Sequence, residues 1–332
     1  MIRYIIRRLL AMIPVMFGIT LIVFVAMRLV PGDPIVILFG ADIDPVKVDP
    51  QAIRDLRHAY GLDLPLPLQY WSFVSHLALG DFGRSIVQHA PVLELILQRL
   101  PATLELAISA MLIAVLIGVP LGVYVAVRRG SAVDRATLLG AAFLFAAPGF
   151  WIAIVLILLF AVELRWLPTS GRGDLSLFDS ILAIPDKGAA PLVDALRHLI
   201  LPAITLSLTY TAVFIRLTRS TVLEALREDY VRTARSKGLG ERTVRFRHVL
   251  RNALLPLITA GGLYFAQLLG GTVLIEVVFA WPGVGRLGID ALRFFDYSLV
   301  QGVVILTALL FSFANLIVDV LYAVVDPRIR YS

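Results

Sequence analysis

Six stretches of this chain run for about 18 to 27 residues without a charged side chain, the length a helix needs to cross a bilayer. They are Leu9–Met27, Leu106–Val127, Ala136–Val162, His198–Ile215, Asn252–Ile275 and Tyr297–Val318. A charge at the bilayer centre costs several kcal/mol, so charge-free runs of this length are what hydrocarbon selects. With 59% of its 332 residues hydrophobic and 16% charged, the chain carries more apolar surface than a water-soluble core can bury. It therefore reads as an all-α polytopic membrane protein with six transmembrane helices. A seventh apolar run, Leu64–Gly80, holds Pro65, Pro67, Gln69, Ser72, Ser75 and His76 and fits an interfacial or loop segment better.

The basic residues orient these spans. Arg3, Arg7 and Arg8 precede the first, whose apolar stretch is longer than a signal-peptide core. Val30-Pro31-Gly32-Asp33 is no cleavage site, so a retained signal anchor with a cytoplasmic N-terminus is expected. The cytoplasmic pieces are then 1–8, 128–135, 216–251 and 326–332. They hold 18 of the 30 Lys and Arg, against 11 in the longer external pieces 31–100, 163–197 and 281–296, while Arg28 ends the first span. That asymmetry follows the positive-inside rule and places the C-terminus in the cytoplasm too. The net charge of +6 is mostly topogenic, which removes the case for a nucleic-acid partner.

The chain divides into residues 1–30 (cytoplasmic N-terminus and first helix), a large external loop 31–100, a five-helix core 101–325 and a cytoplasmic tail 326–332. Within the external loop, Asp49 and Pro50 give a helix start, with Ile53, Leu56, Arg57 and Tyr60 following at helical spacing until Gly61. Two or three short helices are expected there. The second external loop, 163–197, is punctuated by Pro168, Gly171, Gly173, Pro185, Gly188 and Pro191 and reads as mostly irregular.

No reactive constellation emerges. The chain has no cysteine, and His58, His76, His89, His198 and His248 are scattered rather than set at metal-ligand spacing. There is no Gly-x-x-x-x-Gly-Lys-Ser/Thr loop, so no ATP site, no cofactor site and no enzyme activity of its own is expected. The carboxylates near the spans, Glu105, Glu163, Glu276 and Asp319, fall towards helix ends, whereas a proton relay wants them near the midplane. Gly118 and Gly122 flank Pro120, and Gly261, Gly262, Gly270 and Gly271 mark the fifth span. Gly118, Pro120, Gly122, Gly270 and Gly271 are candidates for a gate or hinge; close helix packing explains the same residues.

The loop 216–251 carries the most information. Val222, Leu226, Tyr230 and Ala234 recur every four residues along 219–237, an apolar stripe on one helical face. Glu224, Arg227, Glu228, Arg232 and Arg235 surround it, with Glu228 and Arg232 at pairing distance, and Gly238 and Gly240 break the helix. A second basic helix through Arg242, Arg245, Arg247 and Arg251 is expected to lead into the fifth span. Physics allows two readings: a surface helix on lipid headgroups, or a docking helix for a cytoplasmic partner.

Glu228-Asp229-Tyr230-Val231-Arg232-Thr233-Ala234-Arg235-Ser236-Lys237-Gly238-Leu239 closely resembles the cytoplasmic EAA loop of permease subunits in peptide-type ABC importers. Arg251-Asn252-Ala253-Leu254-Leu255-Pro256 resembles the segment that follows it in the dipeptide/oligopeptide permease family. The likeness extends to Pro31-Gly32-Asp33-Pro34, Gly80-Asp81-Phe82-Gly83-Arg84-Ser85, Pro101-Ala102-Thr103-Leu104-Glu105-Leu106, Trp281-Pro282-Gly283-Val284-Gly285-Arg286, Asp296-Tyr297 and Asp326-Pro327-Arg328-Ile329-Arg330. Two departures from the generic signature, Arg232-Thr233-Ala234 in place of Glu-Ala-Ala and His248-Val249-Leu250-Arg251 where a proline would fall, fit the peptide subfamily.

The resemblance implies a type I ABC importer transmembrane fold with a large outer loop between the first two helices. It implies a heterodimer with a second related permease, two cytoplasmic ATPases that carry ATP and Mg, and an external binding protein that delivers substrate across the bacterial inner membrane. By the same carry-over, Leu226, Glu228, Asp229, Tyr230, Ala234, Arg235 and Gly238 would couple to the ATPase, with Gly238 ending the helix. The outer loop would form part of the binding-protein platform or a gate. Members that resemble this chain import dipeptides, oligopeptides, glutathione or nickel complexes. The rival readings are a stand-alone proton-coupled secondary transporter and a membrane scaffold or insertion factor without a substrate.

Overall fold

The computed structural model describes residues 2–29, 50–59 and 62–325. Asp49, Tyr60, Gly61, Pro31-Gly32-Asp33-Pro34 and the tail from Asp326 lie outside them. Among the described residues everything regular is helical, apart from one isolated bridge between Arg84 and Pro91.

In chain order the helices are α1 (Ile2–Leu29), α2 (Pro50–Ala59), α3 (Leu66–Ala78) and α4 (Val92–Val127). Next come α5 (Ala132–Ala146) and α6 (Gly149–Leu156), the latter continuing as a π-helical turn over Ile157–Glu163. They are followed by α7 (Leu177–Leu182), α8 (Ile184–Lys187), α9 (Ala190–Ala225) and α10 (Asp229–Ser236). After α11 (Glu241–Thr243), a second π turn, Val244–Val249, leads into α12 (Leu250–Gly271). The chain closes with α13 (Val273–Val278), α14 (Val284–Arg293) and α15 (Tyr297–Val325).

Four helices are long and apolar enough to span a membrane: Ile6–Leu29, Val92–Val127, Ala190–Ala225 and Tyr297–Val318. The two other expected spans are bent pairs, Ala132–Ala146 with Gly149–Glu163 at 103° and Glu241–Leu254 with Pro256–Gly270 at 45°. Counted as one span each, they complete six. Both breaks are made by proline. Ala147 precedes Pro148 and is forced into extended backbone (ψ 131°), which ends α5. Pro256 lacks the N–H its helix needs and bends α12. The continuous span Ala136–Val162 expected from its missing charges is thus two helices.

Two further corrections concern helix ends. Segment 163–197 is less irregular than its glycines and prolines suggest. Ser176 caps α7 by accepting the Asp179 N–H at 3.0 Å, and Pro191 sits in the first turn of α9, where an absent N–H costs nothing. Helix α9 thus begins well before His198; at the other loop, α4 begins at Val92 rather than near Leu106. Segment Leu64–Gly80 contains α3, 13 residues long with none buried, too short to span.

The chain forms two compact units. One comprises Met1–Pro101 and Gly283–Ser312, the other Ala102–Pro282 and Phe313–Ser332. In the first, Val92 and Ile96 of α4 are fully buried with Met27 of α1, with Val284, Leu287 and Ala291 of α14, and with Leu299, Val300 and Val303 of α15. Helices α1 and α3 pack together, with Tyr70 edge-on to Phe17 and Phe24. In the second unit α9 is the central helix, packed on α5, α6 and α12. Its main core includes Leu106, Leu199, Leu268, Phe279 and Trp281, all at most 4% exposed.

Candidate functional site

The residues singled out in loop 216–251 lie where α9 ends and α10 begins. The backbone turns through Leu226–Glu228, with the Leu226, Arg227 and Glu228 N–H groups donating to the Val222, Glu224 and Ala225 carbonyls. Glu228 is extended (φ −69°, ψ 148°) and its carbonyl accepts the Val231 N–H at 3.0 Å, opening α10. The far end closes in a two-bond cap: the Gly238 N–H reaches the Arg235 carbonyl at 2.9 Å and the Leu239 N–H reaches Ala234 at 3.3 Å. Such a cap needs a left-handed residue, and Gly238 supplies it with φ +76°.

This turn corrects the apolar stripe. Because the helix stops at Ala225 and restarts at Asp229, Val222, Leu226, Tyr230 and Ala234 do not share one exposed face. Val222 (2% exposed), Val231 (0%) and Ala234 (5%) are buried with Ala126, Ala225, Val244, Val249 and Ala253, and Leu226 packs on the same cluster. The outward face of α10 instead presents Asp229, Tyr230, Arg232, Thr233 and Arg235, with Arg227, Glu228 and Lys237 exposed beside it. Tyr230 and Leu239 are its large apolar members, 36% and 39% exposed. The ion pairs also differ from the spacing argument. Arg232 faces Asp229 at 3.7 Å rather than Glu228, and Arg235 reaches forward to Glu241 at 2.8 Å, tying α10 to α11.

Above this face, α9 is held to its neighbours by two unlike devices. The first is electrostatic. Arg219 donates Nε–H and Nη2–H to the two carboxylate oxygens of Asp134, at 2.7 and 2.9 Å. The Gly130 N–H adds a bond to Asp134 Oδ2 at 2.9 Å, and Ser131 Oγ accepts the Asp134 N–H at 3.2 Å, capping α5. Asp134, 2% exposed, escaped the sequence reading; the signal was Ser131 and Asp134 at capping spacing. The second device is steric. A Cβ on Gly118 would lie 2.7 Å from Phe214 Cβ, and one on Gly122 would lie 2.6 Å from Thr218 Cβ and 2.9 Å from the Ile215 carbonyl oxygen. These glycines bring α4 against α9. Pro120 lies between them inside a helix that continues unbroken for 36 residues. In the fifth span the tight glycine is Gly262, whose Cβ would meet Val318 Cγ2 at 2.4 Å, while Gly270 has open space and Gly271 ends α12.

Two of the carboxylates near the spans, Glu105 and Glu276, are engaged. Glu105 accepts both Arg172 Nε–H at 2.8 Å and the Leu177 N–H at 3.0 Å. Glu276, 0% exposed at the start of α13, accepts the hydroxyls of Thr103 and Thr272 at 2.8 and 2.9 Å. Trp281 closes this corner by donating its indole N–H to the Ala102 carbonyl at 2.8 Å. Glu163 is exposed, and the side chain of Asp319 lies outside the described residues. Among the described residues no group of three or more His, Asp or Glu side chains is placed to hold a metal ion.

Comparison with known proteins covers the whole chain. The chain is 44% identical to the di/tripeptide transport system permease protein of Pseudomonas aeruginosa, over 100% of this chain and 99% of that one. It is 40% identical to the dipeptide transport system permease protein of Alkalihalophilus pseudofirmus, over 100% of both chains. The glutathione transport system permease protein of Escherichia coli is also 40% identical over 100% of both chains. Among solved structures, an inward-facing methionine ABC transporter shares the fold, with a TM-score of 0.51 over 70% of this chain and 97% of that one at 16% identity. Residues 118–331 match the family described as binding-protein-dependent transport system inner membrane component, and residues 1–107 match its N-terminal family. Family models and full-length relatives agree, and the chain belongs to the inner membrane components of binding-protein-dependent transport systems.

Proposed function

We propose that this chain is the permease subunit of an ABC importer for short peptides. It pairs with a second, related permease, takes substrate from an external binding protein and is driven by two cytoplasmic ATPases that hold the ATP and Mg. Both termini and the α10 face lie in the cytoplasm, and segment 31–100 lies outside, where it serves the binding protein as a platform or gate. The observation that carries the reading is the build of α10. It is clamped from behind by Val231 and Ala234 and capped at Gly238, and it projects Asp229, Tyr230 and Arg235 from the end of a 36-residue helix. A rigid polar helix of this kind suits a groove on another protein. Motion of α9 driven from below would pass to α5 through Arg219 and Asp134 and to α4 through Gly118 and Gly122. Short peptides are the substrate class because the relatives above are named for di/tripeptides, dipeptides and glutathione.

The test is reconstitution of the chain with its partner permease, ATPases and binding protein in vesicles, following ATP hydrolysis and uptake of a labelled dipeptide. Tyr230→Glu should insert and fold normally yet lose uptake and binding-protein-stimulated hydrolysis at least tenfold. Uptake driven by an imposed pH gradient without the ATPases would overturn the reading in favour of a stand-alone proton-coupled transporter.

A further inference from the structure

The unit formed by α1, α3, α14 and the starts of α4 and α15 contains a cavity of about 350 Å³. Arg28, Gln69, Ser72, His76, Tyr297 and Gln301 are among its lining residues. Arg28 stands at the C-terminal end of α1, one residue from the end of the apolar span Ile6–Leu29. It is partly buried. Its guanidinium donates from Nε and Nη2 to a single neutral acceptor, Gln69 Oε1, at 3.0 and 2.5 Å. Gln69 is fixed in turn by donating Nε2–H to the Leu62 and Leu64 carbonyls at 3.1 and 2.7 Å. The Phe24 and Tyr297 rings flank the cation, 4.8 and 5.9 Å from their centroids.

Among the described residues no carboxylate pairs with Arg28. Asp81 lines the same cavity, but its Oδ1 accepts the Gly83 N–H at 2.9 Å. A partly desolvated arginine without an acid is held at a cost unless an anion completes it. Here an amide and two rings orient the guanidinium on the wall of a cavity, and with Gln69 on the Nε/Nη2 edge the remaining Nη1 and Nη2 donors form the second edge, which can receive an oxyanion.

The surroundings identify the anion. Arg28 lies where an apolar span ends, at headgroup depth in a bilayer. Helix α3, which supplies Gln69, Ser72 and His76, buries no residue and exposes Leu66 (56%), Leu68 (53%) and Trp71 (70%). Apolar side chains with a tryptophan beside a basic pocket are the features of a segment lying in the membrane interface. We infer that this cavity binds the phosphate of a phospholipid headgroup from the leaflet reached by the C-terminal end of α1. Arg28 is the phosphate ligand, and the acyl chains run along the exposed face of α3.

The inference does not depend on the transported substrate and is tested on the assembled importer in detergent. Dioctanoyl phosphatidylglycerol is titrated in and retained lipid is counted by native mass spectrometry. Wild type should retain the lipid, Arg28→Gln should weaken it roughly tenfold, as expected for losing a charge-assisted contact, and Arg99→Gln on exposed α4 surface should not. Gln69→Leu, which keeps the charge but removes the amide that orients the guanidinium, should weaken it too. Hydrogen exchange on wild type guards against misfolding of the variants: the lipid should protect α3. Equal retention by Arg28→Gln, no protection of α3, or displacement of the lipid by equimolar inorganic phosphate would each overturn the assignment, the last in favour of a free anion. Dioctanoylglycerol, which lacks the phosphate, should neither be retained nor protect α3; its binding as well as the phospholipid would equally overturn it.

Discussion

The Ser85 hydroxyl donates a 2.5 Å hydrogen bond to the buried carboxylate of Asp296, joining positions 211 apart in the sequence. The same carboxylate accepts the Ile86 and Val87 N–H groups at 3.3 Å and the Leu299 N–H at 3.2 Å, capping α15 while gripping the loop before α4. Ser85 Oγ also accepts the Gln88 N–H at 2.8 Å, so its own loop is closed by the same atom. Asp296→Ala would strand several buried donors at once. It should lower stability by about 2–4 kcal/mol, whereas Ser85→Ala should cost only about 1 kcal/mol. Thermal unfolding in detergent measures both, and equal melting of Asp296→Ala and wild type would show that the carboxylate is not the clamp.

The Asp134–Arg219 pair should matter for both stability and coupling. The Asp134 side chain is 3% exposed and that of Arg219 22%, so the pair is screened less than a surface bridge. Asp134→Asn keeps the shape but removes the charge, with an expected loss of about 1–2 kcal/mol. Arg219→Met leaves the carboxylate without its main donor and should cost more, about 2–3 kcal/mol. A double-mutant cycle should return a coupling energy of about 1–2 kcal/mol, and additive losses would dissociate the two residues.

Charge-free runs marked the four helices long and apolar enough to span and both bent pairs, because hydrocarbon excludes charge, yet the same signal could not see bends. Ala147-Pro148 carries no charge, so Ala136–Val162 looked continuous although the residue before a proline avoids helical backbone. Loop 216–251 was legible as a motif, and Gly238 as the end of its helix, because a left-handed cap has a residue preference. Its buried face was not, since the four-residue stripe assumed one unbroken helix. The turn at Leu226–Glu228, made of three backbone bonds, exchanged Tyr230 for Val231 in the core. Nor was the meeting of Ser85 with Asp296 legible. Both motifs stood out separately, and only the folded chain brings one to the other.

The glycines separate close packing from freedom to bend. At Gly122 a methyl group would meet Thr218 Cβ at 2.6 Å and a backbone oxygen at 2.9 Å, and backbone does not yield cheaply. Gly122→Ala should therefore destabilise by about 1–3 kcal/mol, despite alanine's higher helix propensity. A Cβ on Gly270 meets nothing within 4 Å, so Gly270→Ala should be neutral or stabilise by up to about 1 kcal/mol. Transport by Gly270→Ala then tests the hinge expectation for that position. Unchanged uptake in a more stable protein would remove Gly270 from any gate, and lost uptake with raised stability would keep it there.

Opposite faces of α10 should fail in different ways. Val231 is fully buried among Val222, Val244 and Val249, so Val231→Asp places a carboxylate in an apolar cluster and should unseat the helix, costing about 3 kcal/mol or more. Ala234→Asp should act the same way, because at 5% exposure it probes the chain's own core rather than a partner's surface. Tyr230→Ala removes a ring that is 36% exposed and should change stability by less than about 1 kcal/mol. Proteolysis of the loop and ATPase pull-down, run side by side, resolve the two. The core variants should be cut faster and bind poorly, whereas Tyr230→Ala should resist cleavage as wild type does and still lose ATPase binding. If Tyr230→Ala and Leu239→Ala both bind the ATPases normally, the docking face lies elsewhere on the chain.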